Sequence, residues 1–581
     1  MTSRSSRRTF LRVLALGSGA SLLVACGQQP AAAPAKPAEP AKPAAPAATT
    51  APAAPAAAAK PTEAPKPAAA APAATAAPAA AAKPAEAPKP AAAAQAAPAA
   101  KTGVVPAGKL TIAQGIDPRS LWPNSSTAQQ EINVSEQITE KLFEFTPNGD
   151  GFDPRLATEW KQIDDTTLQL KLRQGVTFTN GEPFNAESAK MSVEVVLKSP
   201  SYSAFANVMS GAEVVDSHTL NIKTKSPTLL HMPALAQGSF QYPLKYYQEA
   251  GEEGFGKKPI GTGPYAFGDW VKDSHVTLEA NTSYWNGAPA VKQMIFRNIP
   301  EGAAKLAALE AGEIDVAIDV PLDAVERLER NPDLVLASRT SSRAYYLAPS
   351  TLTDTPLKNP KVRQALFHAI DVQALIKGLF KGRAKQLAQV QQVTPGSFGY
   401  DESRTIHPYD PDKAKAMLAE AGYPNGFEFT FKYSSGRYAQ DKEMGQAIAS
   451  QLQKVGIKAN QEVLESGTFL TQLSQLKLEN MRLAGSLPPP DAHFTFQTYQ
   501  TGFRYSYYSN KEVDELVNKG ASTANREERL AAYKRVLDIF EQDPPYVALF
   551  LPDDFYGLTK KVKGFTPYAS QFIDTRTLSL G

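Results

Sequence analysis

The side chains with the greatest capacity for chemistry are scattered through the sequence rather than grouped. The six histidines lie in separate segments, without an i, i+4 pair or a neighbouring acidic cluster: His218, His231, His275, His368, His407 and His493. A zinc site needs His and Cys ligands at short, regular spacings, and a Gly-x-Ser-x-Gly nucleophile elbow does not occur. The sequence therefore predicts a protein that is not an enzyme, with no catalytic residue, no metal site and no cofactor.

Two glycine-rich segments imitate nucleotide-binding loops. Residues 251–257 have the spacing of a phosphate-binding loop, but Lys258 stands where a Ser or Thr must hold Mg²⁺, and Pro259 follows it. Residues 261–266 resemble a dinucleotide fingerprint, but Pro264 lies inside the motif and the residues after it indicate a strand. We predict a tight turn that leads into a strand, and no nucleotide site.

The single cysteine, Cys26, follows a short apolar stretch. Residues 1–12 contain four arginines, and residues 13–25 are apolar or small, a length too short to cross about 30 Å of hydrocarbon. This order is typical of an export signal. Residues 6–12 resemble a twin-arginine motif, with the general secretory route as the alternative. Residues 23–26 resemble a bacterial lipobox, so we expect cleavage before Cys26 and lipid attachment to its thiol; the alternative is a chance cysteine at the end of a secretory signal.

The next segment, residues 26–103, has a composition that cannot form a packed core. Between residues 31 and 100 there are 40 Ala and 16 Pro, and the sequence of residues 56–71 recurs almost unchanged at 79–94. Alanine favours helix, but the frequent prolines remove hydrogen-bond donors and clash with the preceding turn. We predict a disordered, lipid-anchored linker with a polyproline bias, acting as a spacer.

The charge is distributed unevenly along the chain. The formal total is +3, but residues 1–25 contribute +4 and residues 26–103 contribute another +4, which leaves −5 for the remainder. A mildly acidic body gives no electrostatic reason to expect nucleic acid as a partner.

Strand and helix patterns alternate along the remaining residues, which argues for α/β or α+β architecture. Alternating apolar residues predict strands at 109–114, 167–172 and 216–225. Helical periodicity predicts helices at 185–198, 301–312, 360–381, 411–421, 441–455 and 525–542. Asn359 is expected to cap a helix with Pro360 at its first position, and Asn525 with Glu528 resembles a capping box.

The residues from about 107 to 581 resemble family 5 of the bacterial extracellular solute-binding proteins, the peptide- and nickel-binding type that serves ABC importers. The resemblance rests on motifs that occur in the family's order. They are LRQGVTFTNGEPFNA at 172–186, PIGTGPY at 259–265, YWNG at 284–287, AGEID at 311–315, VRQAL with AID between 362 and 371, AGYP at 421–424, and YSN through Asp514 from 508. Each motif alone is only weakly specific for the family. Their occurrence in the family's order, behind a lipobox, makes the resemblance specific.

The resemblance implies an α/β, periplasmic-binding-protein-like fold of two lobes with an extra N-terminal subdomain. By similarity, lobe I comprises residues 104–149, 258–345 and 548–581, the subdomain comprises 150–257, and lobe II comprises 346–547. The hinge strands are expected near residues 343–347 and 546–550. Ligand is expected to bind in the cleft, and the lobes to close on it.

The resemblance also implies where a ligand would be held, and the sequence departs from the family there. Peptide binders of the family carry an aromatic residue and an acid that takes the peptide's ammonium group. Here these positions fall at Gly485 and Pro488, so a free-amine peptide loses its counter-ion. In another alignment Asp491 is itself the anchor. Its alternative role is that of a helix N-cap or turn residue.

Other cleft candidates are aromatic residues and one arginine: Trp122, Tyr345, Tyr346, Phe503, Arg504, Tyr505 and Tyr507. Aromatic walls with a few polar anchors suit a mid-sized ligand. Arg504 is a candidate for binding a ligand carboxylate, and its alternative role is that of a surface cation lying over an aromatic ring.

We therefore expect a monomeric lipoprotein on the outer face of the cytoplasmic membrane, periplasmic or at the cell surface. It is expected to capture a peptide or similar-sized solute and deliver it to ABC permease subunits with cytoplasmic ATPases. The alternatives within this class are an oligosaccharide, an opine-like solute or a metal chelate. Outside the class they are a sensory or adhesive module not coupled to an importer, and a tethered surface enzyme.

Overall fold

The structure, a computed structural model, describes residues 104–581. The predicted export signal, the lipidation site Cys26 and the Ala/Pro linker lie outside the described residues. Within the described part, strands and helices alternate throughout the chain, as the sequence predicts for an α/β protein. Among residues 104–581, no helix has the length and apolar character needed to span a membrane.

The strands are β1 (Ala107–Gln114), β2 (Phe143–Phe145), β3 (Phe152–Pro154), β4 (Ala157–Asp164), β5 (Thr167–Leu172), β6 (Met209–Asp216), β7 (Thr219–Thr224), β8 (Tyr265–Val271), β9 (His275–Ala280), β10 (Val291–Asn298), β11 (Val316–Ala317), β12 (Leu334–Thr340), β13 (Ala344–Pro349), β14 (Ala384–Gln386), β15 (Phe427–Ser435), β16 (Ile457–Glu465), β17 (Met481–Ser486), β18 (Val547–Thr559), β19 (Val562–Lys563) and β20 (Ser579–Leu580).

The helices are α1 (Gln129–Ile132), α2 (Ala186–Lys198), α3 (Ser203–Ala206), α4 (His231–Gly238), α5 (Leu244–Lys257), α6 (Gly302–Glu310), α7 (Val325–Arg330), α8 (Pro360–Ala369), α9 (Val372–Leu379), α10 (Pro411–Glu420), α11 (Asp441–Lys454), α12 (Ser466–Ser474), α13 (Ala492–Phe496), α14 (Lys511–Ala521) and α15 (Arg526–Gln542).

One large sheet organises the described residues. Its strand order is β16-β15-β17-β13-β18-β11-β1-β10-β9-β8, and β12 and β14 also pair with β18. The 13-residue β18 is antiparallel to each of its partners, including β13 on one side and β11 on the other. The two segments predicted as hinge strands thus become β13 and β18, which pair directly. The lobe boundaries drawn at residues 345 and 547 stay a prediction, because the sheet runs on through both points.

A separate four-stranded antiparallel sheet, in the order β4-β5-β7-β6, lies within the segment predicted as the extra subdomain. Its apolar face, with Leu170 and Ile222 fully buried, packs under α2. The helix begins at a capping box in which the Asn185 side chain accepts from the backbone N–H of Ser188. This is the turn and helix of the LRQGVTFTNGEPFNA motif, so that motif positions α2 on its sheet.

Two details of the predicted helices are wrong. The helix predicted over 360–381 is two helices, because Ile370 has an extended backbone and Asp371 starts α9 by accepting from the N–H of Ala374 at 2.9 Å. The capping box predicted at Asn525 is only a cap. The backbone N–H of Asn525 donates to Thr523 Oγ1 at 3.1 Å rather than to Glu528. The cap at Asn359 is confirmed, with its side chain accepting from Lys361 N–H.

Candidate functional site

Strand β17 carries a buried arginine that no acidic residue neutralises. Arg482 is 4% exposed, and its Nε and Nη1 atoms are buried without a hydrogen-bond partner. Its guanidinium lies 4.1 Å from the centroid of the Tyr507 ring. A buried charge without a counter-ion costs several kcal/mol, and one ring face offsets only part of that cost. The guanidinium therefore keeps unused hydrogen-bond donors and a charge that no acid among the described residues pairs with.

Four other arginines make a useful contrast, because each contacts a carboxylate: two are buried and two are partly buried. Arg363 pairs with Asp543, Arg529 with Asp491, Arg155 with Glu140, and Arg576 with Glu144 and Asp574. These pairs join distant parts of the chain and need no ligand. Arg482 is comparably buried and, among the described residues, pairs with no acid.

Three tyrosines stand around Arg482. Tyr507 lies under the guanidinium, and Tyr346 and Tyr499 are close enough for its positive charge to act on their pKa values. Burial raises the pKa of all three phenols, and the Arg482 charge opposes that shift. The tyrosines are therefore neutral hydrogen-bonding groups at physiological pH. We call Arg482 with Tyr346, Tyr499 and Tyr507 the arginine cage.

A chain of side-chain hydrogen bonds fixes one wall of the cage. The Tyr499 hydroxyl donates to Gln392 Oε1 at 2.6 Å, and Gln392 Nε2 donates to Ser486 Oγ at 2.6 Å. On the opposite side, the Tyr507 hydroxyl accepts from the N–H of Leu478 at 3.0 Å. The phenol positions are thus set before a ligand enters, which reduces the ordering cost of binding.

The sequence-predicted candidates separate into groups in the structure. Tyr346 and Tyr507 meet at the arginine cage. Gly485 lies on the same strand as Arg482 but on the other face, where an added Cβ would lie 3.1 Å from atoms of Tyr345 and Tyr438. Those two rings thus occupy the room that an aromatic residue would need at position 485. Arg482 itself was missed, although a single charge inside the apolar run of residues 481–484 was a signal.

Asp491 takes the N-cap role that the sequence offered as its alternative. Its side chain accepts from the N–H of His493 at 3.0 Å, at the start of α13. Both carboxylate oxygens also accept from Arg529 Nη2, at 3.0 and 2.9 Å. Burial raises the pKa of Asp491, and the Arg529 charge opposes this. A ligand ammonium would have to share this carboxylate with Arg529, so amine binding by Asp491 stays a prediction without local support.

Trp122 and Tyr345 contribute to packing. Trp122 is 5% exposed and stacks on Tyr242 with ring centroids 4.5 Å apart. Tyr345 is 3% exposed and contacts Phe380 and Phe550. Neither ring faces solvent, and a ligand contact for either one stays a prediction.

Residues 503–505 form a turn at the surface. The Arg504 guanidinium lies 4.5 Å from the centroid of the Tyr505 ring, and Arg504 is exposed. This is the surface cation over an aromatic ring that the sequence offered as the alternative. Phe503 is half-buried beside it. Carboxylate binding by Arg504 therefore stays a prediction, and Arg482 is the better-placed cation for that role.

Segments assigned by sequence to different lobes are in contact. Phe205 of α3 and Phe494 of α13 have ring centroids 5.4 Å apart. At another point, an added Cβ on Gly149 would lie 3.7 Å from the Pro490 side chain. The Arg529 charge also acts on the pKa of His231, which belongs to α4. The two predicted lobes are thus joined by an aromatic contact as well as by the shared sheet.

Comparison with known proteins places this geometry in a family. The family model described as bacterial extracellular solute-binding proteins, family 5 Middle, matches residues 151–507, more than half of the chain. The glutathione-binding protein GsiB of Shigella flexneri is 30% identical over 433 residues, which cover 71% of this chain and 82% of that protein. GsiB of Salmonella typhi is 30% identical over 424 residues, covering 69% and 81%.

Solved structures share the fold. The periplasmic binding protein DppA of Helicobacter pylori, in complex with the peptide STSA, is 26% identical with a TM-score of 0.70 and covers 81% of this chain and 98% of its own. A dipeptide-binding protein of a Pseudoalteromonas species, in complex with Met-Leu, is 22% identical with a TM-score of 0.73, covering 82% and 100%. The predicted two-lobed α/β fold is confirmed by these likenesses.

Proposed function

The chain belongs to family 5 of the bacterial extracellular solute-binding proteins of ABC importers, and we propose that it captures a peptide or peptide-sized solute through a carboxylate group. The observation that carries this proposal is the arginine cage, with a buried guanidinium that no acidic residue neutralises. A carboxylate bound there would gain charge-assisted hydrogen bonds from Arg482. It would also remove the cost of the unpaired buried charge.

The relatives support a solute of this chemistry. GsiB is named for glutathione, and the Helicobacter pylori protein was crystallised with a tetrapeptide. Both solutes carry free carboxylates and are small enough to be enclosed between two lobes. A peptide or a glutathione-like compound is therefore a better candidate for this chain than an oligosaccharide, which has no anionic group to neutralise Arg482.

Delivery to an importer completes the proposal. The mature protein would be held on the outer face of the cytoplasmic membrane by a lipid on Cys26, with the Ala/Pro segment as its spacer. Incorporation of labelled palmitate in cells expressing wild type, but not Cys26→Ser, is the expected result. Equal labelling of the two proteins would contradict the anchor without affecting the binding site.

The binding proposal is tested by isothermal titration calorimetry of the full chain with reduced glutathione, trialanine and N-acetyl-trialanine. Arg482→Gln should weaken the binding of these carboxylates by about 10- to 100-fold, since a hydrogen bond to a charged group contributes about 1.5–3 kcal/mol. Arg330→Gln, a change at an exposed arginine that pairs with Glu326, serves as the matched control and should leave the affinities unchanged. Equal affinities for wild type and Arg482→Gln would refute the role of the cage.

Stability measurements separate a binding role from a structural one. Arg482→Met removes an unpaired buried charge, so its free energy of unfolding without ligand should equal or exceed that of wild type. Arg529→Met leaves Asp491 buried without its partner and should lose about 3–5 kcal/mol. A large loss of stability in Arg482→Met would indicate a structural partner for this arginine and contradict the proposal.

A further inference from the structure

We propose that the turn at residues 146–151, between β2 and β3, is a latch that controls access to the arginine cage. The turn belongs to the residues predicted as lobe I and its subdomain. It meets two segments of the predicted lobe II, residues 394–398 and residues 490–492, which we call the platform. The inference goes beyond the proposed function, because it concerns the way into the cage and not the solute that is bound there.

The shape of the turn is fixed by its own hydrogen bonds. The Thr146 hydroxyl donates to Asp150 Oδ1 at 2.6 Å and accepts from the N–H groups of Asp150 and Gly151 at 3.1 and 3.2 Å. The N–H of Gly149 donates to the carbonyl oxygen of Thr146 at 2.9 Å. The turn therefore has a defined shape before it meets the platform, which reduces the ordering cost of the contact.

Two further hydrogen bonds fasten the turn to other parts of the predicted lobe I. Arg339 Nη2, on β12, donates to Asn148 Oδ1 at 2.7 Å. The N–H of Ala569, in the C-terminal segment, donates to the carbonyl oxygen of Pro147 at 3.0 Å. The turn is thus held from its own side, and its position does not depend on the platform.

The platform is also one connected unit. The N–H of Phe398 donates to the carbonyl oxygen of Pro490 at 3.1 Å, and the N–H of Ala492 donates to the carbonyl oxygen of Phe398 at 2.8 Å. Within the first segment, the N–H of Ser397 donates to the carbonyl oxygen of Thr394 at 3.1 Å. A contact with either segment of the platform therefore restrains both.

The turn approaches the platform at two points, one on each segment. A Cβ added to Gly149 would lie 3.7 Å from Pro490 Cβ. A Cβ added to Gly396 would lie 3.9 Å from Asp150 Cβ and 3.8 Å from the carbonyl oxygen of Asn148. Two points on different segments give the turn a single defined seat on the platform, whereas one point would allow it to pivot.

The two segments of the platform continue directly into the wall of the arginine cage. Gln392, which bonds to Tyr499 and Ser486, lies four residues before Gly396, and Ser486 lies four residues before Pro490. Four residues of extended chain span at most about 14 Å. While the turn is seated, both chains of this wall are held against the predicted lobe I. The latch must therefore open before a molecule reaches the guanidinium of Arg482, which is 4% exposed.

Engineered disulfides test the latch, because the Cβ atoms of a disulfide lie about 3.5–4.5 Å apart. The first variant combines Gly149→Cys with Pro490→Cys, and the second combines Asp150→Cys with Gly396→Cys. Both are made in the full chain with Cys26→Ser, since Cys26 is the single cysteine of the sequence. Each variant is compared in its oxidised and reduced forms, so that the substitutions themselves are the same in both arms. Two separate pairs guard against a variant that fails to fold.

The readout is the rate at which phenylglyoxal modifies Arg482, measured by mass spectrometry without any solute. Buried groups react through transient opening, so Arg482 should react at least about tenfold more slowly in the oxidised form than in the reduced form. Arg330 is the internal control, because its side chain is exposed and it lies on α7, away from the turn and the platform in sequence. Its rate should be the same in both forms.

Each outcome decides the inference. Slower modification of Arg482 in an oxidised variant, with Arg330 unchanged, supports the latch. Equal rates at Arg482 in the oxidised and reduced forms overturn it, because access would then not require the contact to break. Failure of both pairs to form a disulfide also overturns it, because the turn and the platform would then not meet. Failure of the proposed function is recognised separately, as equal carboxylate affinities of wild type and Arg482→Gln.

Discussion

The role of a buried charged side chain in this protein depends on whether a side chain of opposite charge neutralises it. Asp491 and Arg529 are both buried, and their mutual hydrogen bonds make them a structural pair. Arg482, equally buried, has a ring face and phenols but no acid. Burial alone therefore does not separate charged residues that stabilise the fold from those available to a ligand. The presence or absence of an oppositely charged partner does.

Two buried histidines predict a pH dependence of stability. Burial, together with the Arg529 charge, lowers the pKa of His231 to about 4 and that of His493 to about 3. Both rings are therefore neutral in the folded protein at pH 6.5, near their unfolded pKa. Below that pH the unfolded chain binds more protons, so stability is lost as pH falls toward the folded values. Between pH 6.5 and 5 we expect a loss of about 2 kcal/mol per histidine.

Urea unfolding of the full chain at pH 5 and pH 7 measures this dependence. His493→Gln should reduce the difference between the two pH values by about 2 kcal/mol. His218→Gln, at a histidine that is only half-buried, is the control and should leave the difference at its wild-type value. A difference that is the same in all three proteins would show that His493 is not responsible for it.

Residue roles were predictable from sequence only where the partner is local. Asn359 was recognised as a cap because the N–H that it binds belongs to Lys361, two positions away. The partner of Asp491 is Arg529, 38 positions away, and nothing in the sequence indicates that pairing. Arg482 was missed for the same reason, since its importance lies in the absence of a distant acid. The sequence located the right strand but not the anchor on it.

At the scale of elements, the glycines of the PIGTGPY motif have a structural reason, which is a close contact between two segments of backbone. Its glycines lie against the backbone of residues 137–139, and a Cβ on Gly261 would lie 1.9 Å from the carbonyl oxygen of Ile138. The N–H of Gly263 donates to that same oxygen at 2.8 Å. The motif therefore brings two chain segments into backbone contact, immediately before β8 begins. Nucleotide binding, which the spacing imitates, has no part in it.

Substitution of Gly261 tests this interpretation. Gly261→Ala should lower the free energy of unfolding by at least about 2 kcal/mol, because a methyl group at that place must displace backbone. Gly378→Ala is the control. Gly378 lies within α9 with no atom within 4 Å of the added Cβ, so alanine there should stabilise by about 0.5–1 kcal/mol. Equal effects of the two substitutions in thermal or urea unfolding would contradict the crossing role of Gly261.

Helix periodicity located elements better than it located their ends. The pattern over 360–381 is continuous in sequence, and yet α8 ends at Ala369 and α9 begins at Val372. Asp371, the side chain that divides them, belongs to the AID motif and lies inside the continuous helical pattern. Asp and Asn compete with the helix by binding nearby N–H groups, so an Asp within a helical pattern is also a start signal.

At the scale of the whole molecule, one continuous sheet joins segments that the sequence assigns to different lobes. The 13 residues of β18 pair with β11 and β12 on one part of their length and with β13 and β14 on another. A strand shared in this way connects the two predicted lobes at one place. Contacts between the lobes away from this strand can then separate without breaking the sheet. The order of motifs predicted this two-lobed arrangement, but contacts between the lobes depend on residues far apart in the sequence.

The contact between Phe205 and Phe494 predicts how closure responds to a single substitution. An aromatic pair contributes about 0.5–1.5 kcal/mol beyond its buried area. Loss of that amount from the closed form alone would reduce the apparent affinity for trialanine about 2- to 12-fold, because binding is coupled to the population of the closed form. Phe494→Ala should show this reduction in calorimetry. Small-angle X-ray scattering should show that the variant contracts only at a higher peptide concentration than wild type does.

Tyr409→Ala is the appropriate control for this experiment. Tyr409 is an aromatic residue of 346–547 that is exposed, whereas Phe494 is buried, and it has no part in the Phe205–Phe494 pair. It should match wild type in affinity and in the concentration at which the protein contracts. A change that Phe494→Ala shows, that Phe205→Ala reproduces and that Tyr409→Ala lacks can be attributed to the contact between the two phenylalanines. Wild-type affinity and scattering in Phe494→Ala would instead mean that closure is held by other contacts, such as Pro490 against Gly149.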